Sequence, residues 1–123
     1  MFEALSVRTV ESELVELAGH LAAATCRFLQ LLAEFDTREG WAGTGVRSCA
    51  HWLNWRVGLS LRTAREHLRV GHALVGLPAI SEAFASGRVS YSKVRAMTRI
   101  ATPQTERGLL NIALHGTASH VER

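Results

Sequence analysis

The stretch Ala50–Val70, AHWLNWRVGLSLRTAREHLRV, decides how the chain is read. It has the pattern of a helix, a tight turn and a second helix. Gly58-Leu59-Ser60 forms the turn: glycine takes the left-handed conformation that ends a helix at no steric cost. Leu59 is apolar and can plug the gap between the two helices, and the Ser60 hydroxyl can cap the first turn that follows. Leu53, Val57, Ala64 and Leu68 are expected to pack inward. Arg62, Arg65, Glu66 and Arg69 are expected on the opposite side of the second helix. In a DNA-binding helix-turn-helix, that side enters the major groove. Asn54, flanked by Trp52 and Trp55, departs from the small residue such a motif usually carries four positions before its glycine. The plain alternative is an αα-corner inside a bundle.

Around this stretch, the 123 residues suit one domain with a modest core, residues 1–123. No β-branched or aromatic run alternates with period two over strand length. The chain is therefore expected to be all-α: a multi-helix bundle with a long N-terminal helix and a helix-turn-helix-like core. Residues 7–36 read as that long helix. Its stripe, Leu14, Leu17, Leu21, Ala24, Phe28, Leu31 and Phe35, recurs every three or four residues. Core packing is the first reading of the stripe, a homodimer seam the second. Glu11, Glu13 and Glu16 stand near the helix start, where the dipole favours negative charge. Residues 37–47 form a glycine-rich connection, from which Trp41 is expected to tuck back onto the core. No Gly-Lys-Ser/Thr follows the glycines, so a Walker-type phosphate loop is rejected. Further helices are expected over Cys49–Val57 (capped by Ser48), Leu61–Leu74, Pro78–Ser86, Tyr91–Ala101 (capped by Ser90) and Gln104–Leu114. The apolar faces of the last two are assigned to Val94, Met97 and Ile100, and to Leu109, Leu110 and Ile112. Another helix is expected to begin after Thr117.

The net charge is only +3, but it is unevenly placed. Residues 1–46 carry −4, residues 47–99 carry +7, and residues 100–123 are neutral. The positive block surrounds the organising turn, the footprint expected for a polyanion partner. Thirteen of the fourteen basic residues are arginine, which can fork onto phosphate or guanine. A GC-rich genome would also favour arginine over lysine, so the clustering weighs more than the count.

Other chemistry finds little support. The N-terminus has no basic patch followed by a hydrophobic run, and no apolar stretch reaches membrane-spanning length, so a cytoplasmic protein is expected, with no membrane partner. The six histidines show no HExxH pattern. Cys49-x-His51 lacks a second ligand pair for zinc, and Cys26 reads as a small buried apolar residue. No catalytic residue, metal site or cofactor is expected.

Three stretches carry a family resemblance: GLSLRTAREHLRV (residues 58–70), LPAI (77–80) and GRVSYSKVRAMTR (87–99). From Leu14 onward the chain resembles the actinobacterial domain of unknown function 222, also met as the thirteen-E-twelve repeat family. In that family the domain commonly precedes a C-terminal HNH endonuclease domain. The resemblance thus implies a DNA-associated protein, with this chain the N-terminal part of a longer HNH-nuclease-type protein or a truncated copy. No HNH motif lies in the chain, so it is not expected to be an enzyme by itself. A shorter pattern is similar to the DNA-binding core of ParB-type partition proteins. The expected function is a DNA-binding helical module for double-stranded DNA. Ser60, Arg62, Thr63, Arg65, Glu66 and Arg69 would present the reading helix, and Arg56, Lys93 and Arg95 would add sequence-independent attraction. The alternative is a helical dimerisation or protein-interaction module that does not bind DNA.

Overall fold

A computed structural model describes residues 1–116. Six α-helices follow one another: α1 (Val7–Thr37), α2 (Cys49–Arg56), α3 (Leu61–Val75), α4 (Pro78–Ala85), α5 (Tyr91–Met97) and α6 (Glu106–His115). No strand occurs among the described residues. The expected helix after Thr117 lies outside them.

The three serine caps read from the sequence form, whereas α6 opens at Glu106 behind Thr105 and not at Gln104. Ser48, Ser60 and Ser90 accept hydrogen bonds from the backbone N–H groups of His51, Thr63 and Lys93. Each satisfies a donor that the first helical turn leaves unpaired. Gly58 has φ +82, the left-handed value expected at the α2–α3 turn. Asn54, the residue out of pattern, ties that turn to α2, because its side-chain amide donates to the Leu59 carbonyl at 2.8 Å. Leu59 packs against the core as expected. Trp41 does too, and its indole N–H donates to Asp36 at 3.0 Å.

The core gathers around Phe84, Leu29, Leu53, Ile80, Met97, Val70 and Val94, all fully buried. Two close backbone approaches set its tightness. A Cβ at Gly71 on α3 would sit 2.8 Å from the Leu29 carbonyl oxygen of α1. A Cβ at Gly87, in the α4–α5 turn, would sit 2.6 Å from the Gly19 carbonyl oxygen. Both positions must lack a side chain for α1 to lie where it does.

Several expectations are corrected. The face of α1 that enters the core is Ala22, Cys26, Leu29, Leu32 and Ala33, not the leucine stripe. Leu14, Leu17, Leu21, Ala24, Phe28 and Leu31 are exposed, and only Phe35 at the end of that stripe packs against the core. Ala22, Cys26 and Ala33 on the buried face leave room for the close crossing, and Leu29 and Leu32 fill the core between them. Val57, expected inside, is 46% exposed because the helix ends at Arg56 and the turn carries it outward. The glutamates of α1 stand beyond its first turn, which contains no acidic residue, so the dipole does little for them. Helix α5 stops at Met97, short of Ala101, and Ile100 is exposed. Past Met97 the Arg99 and Ile100 N–H groups reach back three residues, to the Ala96 and Met97 carbonyls, so the chain tightens into turns. Ile112 is also exposed, and Ala113 is buried in its place.

One buried carboxylate has no counterpart in the sequence reading. Helix α4 begins after Leu77, which has no capping side chain. Glu106, 4% exposed, fills that role from α6: its carboxylate accepts the Ile80 N–H at 3.2 Å.

Gly87→Ala and Gly58→Ala separate steric contact from backbone strain. Gly58 has a positive φ but open space around it, so its substitution should cost about 1–2 kcal/mol. Gly87 adds the clash with Gly19, and its substitution should cost about 3 kcal/mol or more in urea unfolding. Equal losses at the two positions would contradict the contact.

Candidate functional site

Helix α3 presents one face to the core through Ala64, Val70, Gly71 and Leu74. Its other face carries Arg62, Arg65, Glu66 and Arg69. Helix α5 lies beside it and brings Arg95 to the same place, with Arg99 just past its end. These six residues line a shallow cleft of about 340 Å³. The cleft thus holds five guanidinium groups and one carboxylate.

Glu66 organises the cluster. One carboxylate oxygen accepts from Arg69 Nε, one turn along α3. The other accepts from Arg95 Nε at 2.7 Å and from Arg99 at 3.0 Å. The Glu66 side chain is only 19% exposed. Hydrogen bonds from Arg69, then Arg95, then Arg99, acting against partial burial, push its pKa down to about 2. Arg69 also donates to the Arg95 carbonyl oxygen at 3.2 Å and lies 3.4 Å from the Thr98 hydroxyl. Charge-assisted contacts of this kind hold the long arginine side chains in place.

Arg62 and Arg65 stand apart from this lattice. Both are exposed on the first turns of α3, and among the described residues neither makes an ion pair. The remaining residues singled out in the sequence have other roles. The Ser60 hydroxyl caps α3 and lies 3.0 Å from the Thr63 hydroxyl. Arg56 lies over the Trp55 ring, 5.4 Å from its centroid. Lys93 donates to the Ala113 carbonyl oxygen at 2.6 Å and so caps the end of α6. The structure therefore gathers Arg62, Arg65, Glu66, Arg69 and Arg95 and leaves Arg56 and Lys93 in separate local contacts.

Sequence reasoning missed His67 and Tyr91, and it left Arg99 out of the candidate site although the four-residue spacing puts Arg99 on the same face as Arg95. His67 Nδ1 and the Tyr91 hydroxyl are 3.0 Å apart, with the rings edge to face. Together with Arg62, Thr63, Glu66 and Arg95 they line a second recess next to the cleft. Burial pushes the His67 pKa down, against the opposing pull of Glu66, and burial pushes the Tyr91 pKa up. The pair is therefore held neutral and fixes the α3–α5 contact.

The family model for the domain of unknown function DUF222 matches residues 10–121. The chain belongs to the DUF222 family. No curated protein and no solved structure matches it. The DUF222 match takes in the arginine cleft, the α2–α3 turn and nearly all of α1. Elsewhere in this DUF222 chain, both thiols are buried, and burial followed by the Asp36 charge pushes Cys49 up to about 11. Such a thiol stays protonated and is a poor nucleophile. Among the described residues no three His, Cys, Asp or Glu side chains group to hold a metal ion, and no helix is long and apolar enough to cross a membrane.

The ion cluster should show in the acid limb of stability. The Glu66 pKa lies below its ordinary 4.5, so its contribution is fully present above pH 4.5 and fades as pH falls toward about 2. Glu66→Gln should lose about 1–2 kcal/mol at neutral pH, because the arginines are partly solvated. Its stability should also fall less steeply than the native chain's between pH 4.5 and 2. Parallel acid limbs for the two proteins would show that the arginines do not hold the carboxylate.

Proposed function

We propose that this DUF222 chain is a double-stranded DNA-binding module. The observation that carries the reading is the pair Arg62 and Arg65, exposed and free of ion pairs among the described residues, on the first turns of a helix that follows a tight glycine turn. Arginine there can fork onto guanine or phosphate. The α2–α3 pair supplies the order of elements that a helix-turn-helix uses, with the second helix as the reading element. Arg69, Arg95 and Arg99 widen the positive field, and Glu66 keeps their heads at one place. In this reading Glu66 is a positioning residue for the arginines and does not read bases. As the family resemblance implies, such a module would bring a C-terminal HNH nuclease domain to DNA.

Five guanidiniums line the cleft against one carboxylate, and only three of them bond it, an excess of positive charge that favours an anionic partner over a neutral protein surface. A DNA-blind interaction module would instead leave Arg62 and Arg65 as a solvated face, and the chain would pass through heparin at low salt.

Arg62→Ala combined with Arg65→Ala should weaken duplex DNA binding at least about tenfold. It should reduce the slope of log affinity against log salt by about 2, since each phosphate contact contributes close to 0.9. Both side chains are exposed, so the helical circular dichroism signal should not change. An unaltered affinity across the salt titration would rule out this face of α3.

A further inference from the structure

Helix α1 carries a second apolar face that its own fold leaves uncovered up to Leu31, with only Phe35 at its end packed on the core. From Val7 to Phe35, apolar residues recur at alternating intervals of three and four, an unbroken a/d heptad pattern. The seam runs ~42 Å along the helix at 1.5 Å per residue. The core takes the adjoining face, through Ala22, Cys26, Leu29, Leu32 and Ala33. Leu14, Leu17, Leu21 and Leu31 on the seam are between 54% and 68% exposed. Every residue from 11 to 18 is exposed, so the first half of α1 is an arm outside the packed body. An isolated helical arm of that length is marginal in water.

The arm and the body complement each other. Beside the second half of the seam lies an apolar groove of about 550 Å³, lined by Phe28, Leu31, Phe35, Trp52, Leu53 and Val57 among others. The chain ahead of the arm carries exposed Phe2 and Leu5. We infer that two copies of this chain pair antiparallel through α1, each arm lying along the other's seam and its leading segment entering the other's groove. The register that centres the pair near Gly19 sets Leu17 across from Leu21, Leu14 across from Ala24 and Val10 across from Phe28 of the second copy. It also brings Glu13 beside the second copy's Arg27, twice by symmetry. A parallel pair sets Glu13 beside Ala18 and Arg27 beside Leu32, with no charge matched. The charges flanking the seam therefore select the antiparallel arrangement. Self-association of this kind does not depend on DNA contact, since the arginine cleft lies on α3 and α5.

Sedimentation of the full chain tests the pairing. The native protein should run at twice the 13.5 kDa protomer mass at micromolar concentration. Leu17→Glu with Leu21→Glu should run as a monomer. Both leucines are exposed in the protomer, so core packing and the far-ultraviolet spectrum of α2–α6 should persist. Direction is read by cysteine pairing. Leu14→Cys mixed with Ala24→Cys should form a heterodisulfide, whereas Leu14→Cys alone should not cross-link. Glu13→Arg should weaken the dimer several-fold, and adding Arg27→Glu should restore it. A native chain that stays monomeric overturns the proposal and leaves the face to a partner of another kind. Efficient cross-linking of Leu14→Cys to itself overturns the antiparallel register. Loss of DNA binding by the Arg62 and Arg65 variants with an intact dimer would separate the two surfaces.

Discussion

The closeness with which α1 lies against the other helices is the constraint everything else follows. It is set by missing side chains. Gly71 lets α3 meet the Leu29 carbonyl, and Gly87 lets the α4–α5 turn meet the Gly19 carbonyl. Backbones that approach this far need small residues between them, and α1 supplies Ala22, Cys26 and Ala33 there. With the face of Ala22, Cys26, Leu29, Leu32 and Ala33 committed inward, the helix has to present Leu14, Leu17, Leu21 and Leu31 outward. With α3 docked through Gly71, its arginines have to stand on the solvent side, next to those of α5.

Glu66 then converts proximity into order. Arginine side chains on neighbouring helices would otherwise repel and wander. A single carboxylate shared by Arg69, Arg95 and Arg99 fixes three guanidiniums and links α3 to α5. The neutral His67–Tyr91 pair does the same a turn away, without charge. Arg62 and Arg65 remain outside this network. The result is a positive surface with two tiers: an inner set held by its counter-charge and an outer pair that makes no ion pair among the described residues.

Two surfaces thus share one small domain. The arginine face is polar and electrostatic, suited to a polyanion whose binding falls with salt. The α1 seam is apolar and geometric, suited to a helix of matching period. They use opposite physics and lie on different elements, so one can change without the other. A dimer built on α1 would carry two arginine faces.

What the sequence determined by itself was local. Helix boundaries, serine caps and the Gly58 turn follow from short-range sterics and hydrogen bonding, and they were legible in order along most of the chain. The cluster of positive charge was legible too, because charge can be counted without a fold. Which apolar face of α1 is buried was not legible. Two faces of that helix are apolar, and the regular leucine stripe hides the plainer run of small residues that packs. The meeting of Glu66 with Arg95 and Arg99, 29 and 33 residues onward, and the capping of α4 by Glu106 from α6, needed the tertiary structure. Those contacts join distant segments whose approach depends on backbone distance, and distance between helices is decided by packing, not by the order of residues along the chain.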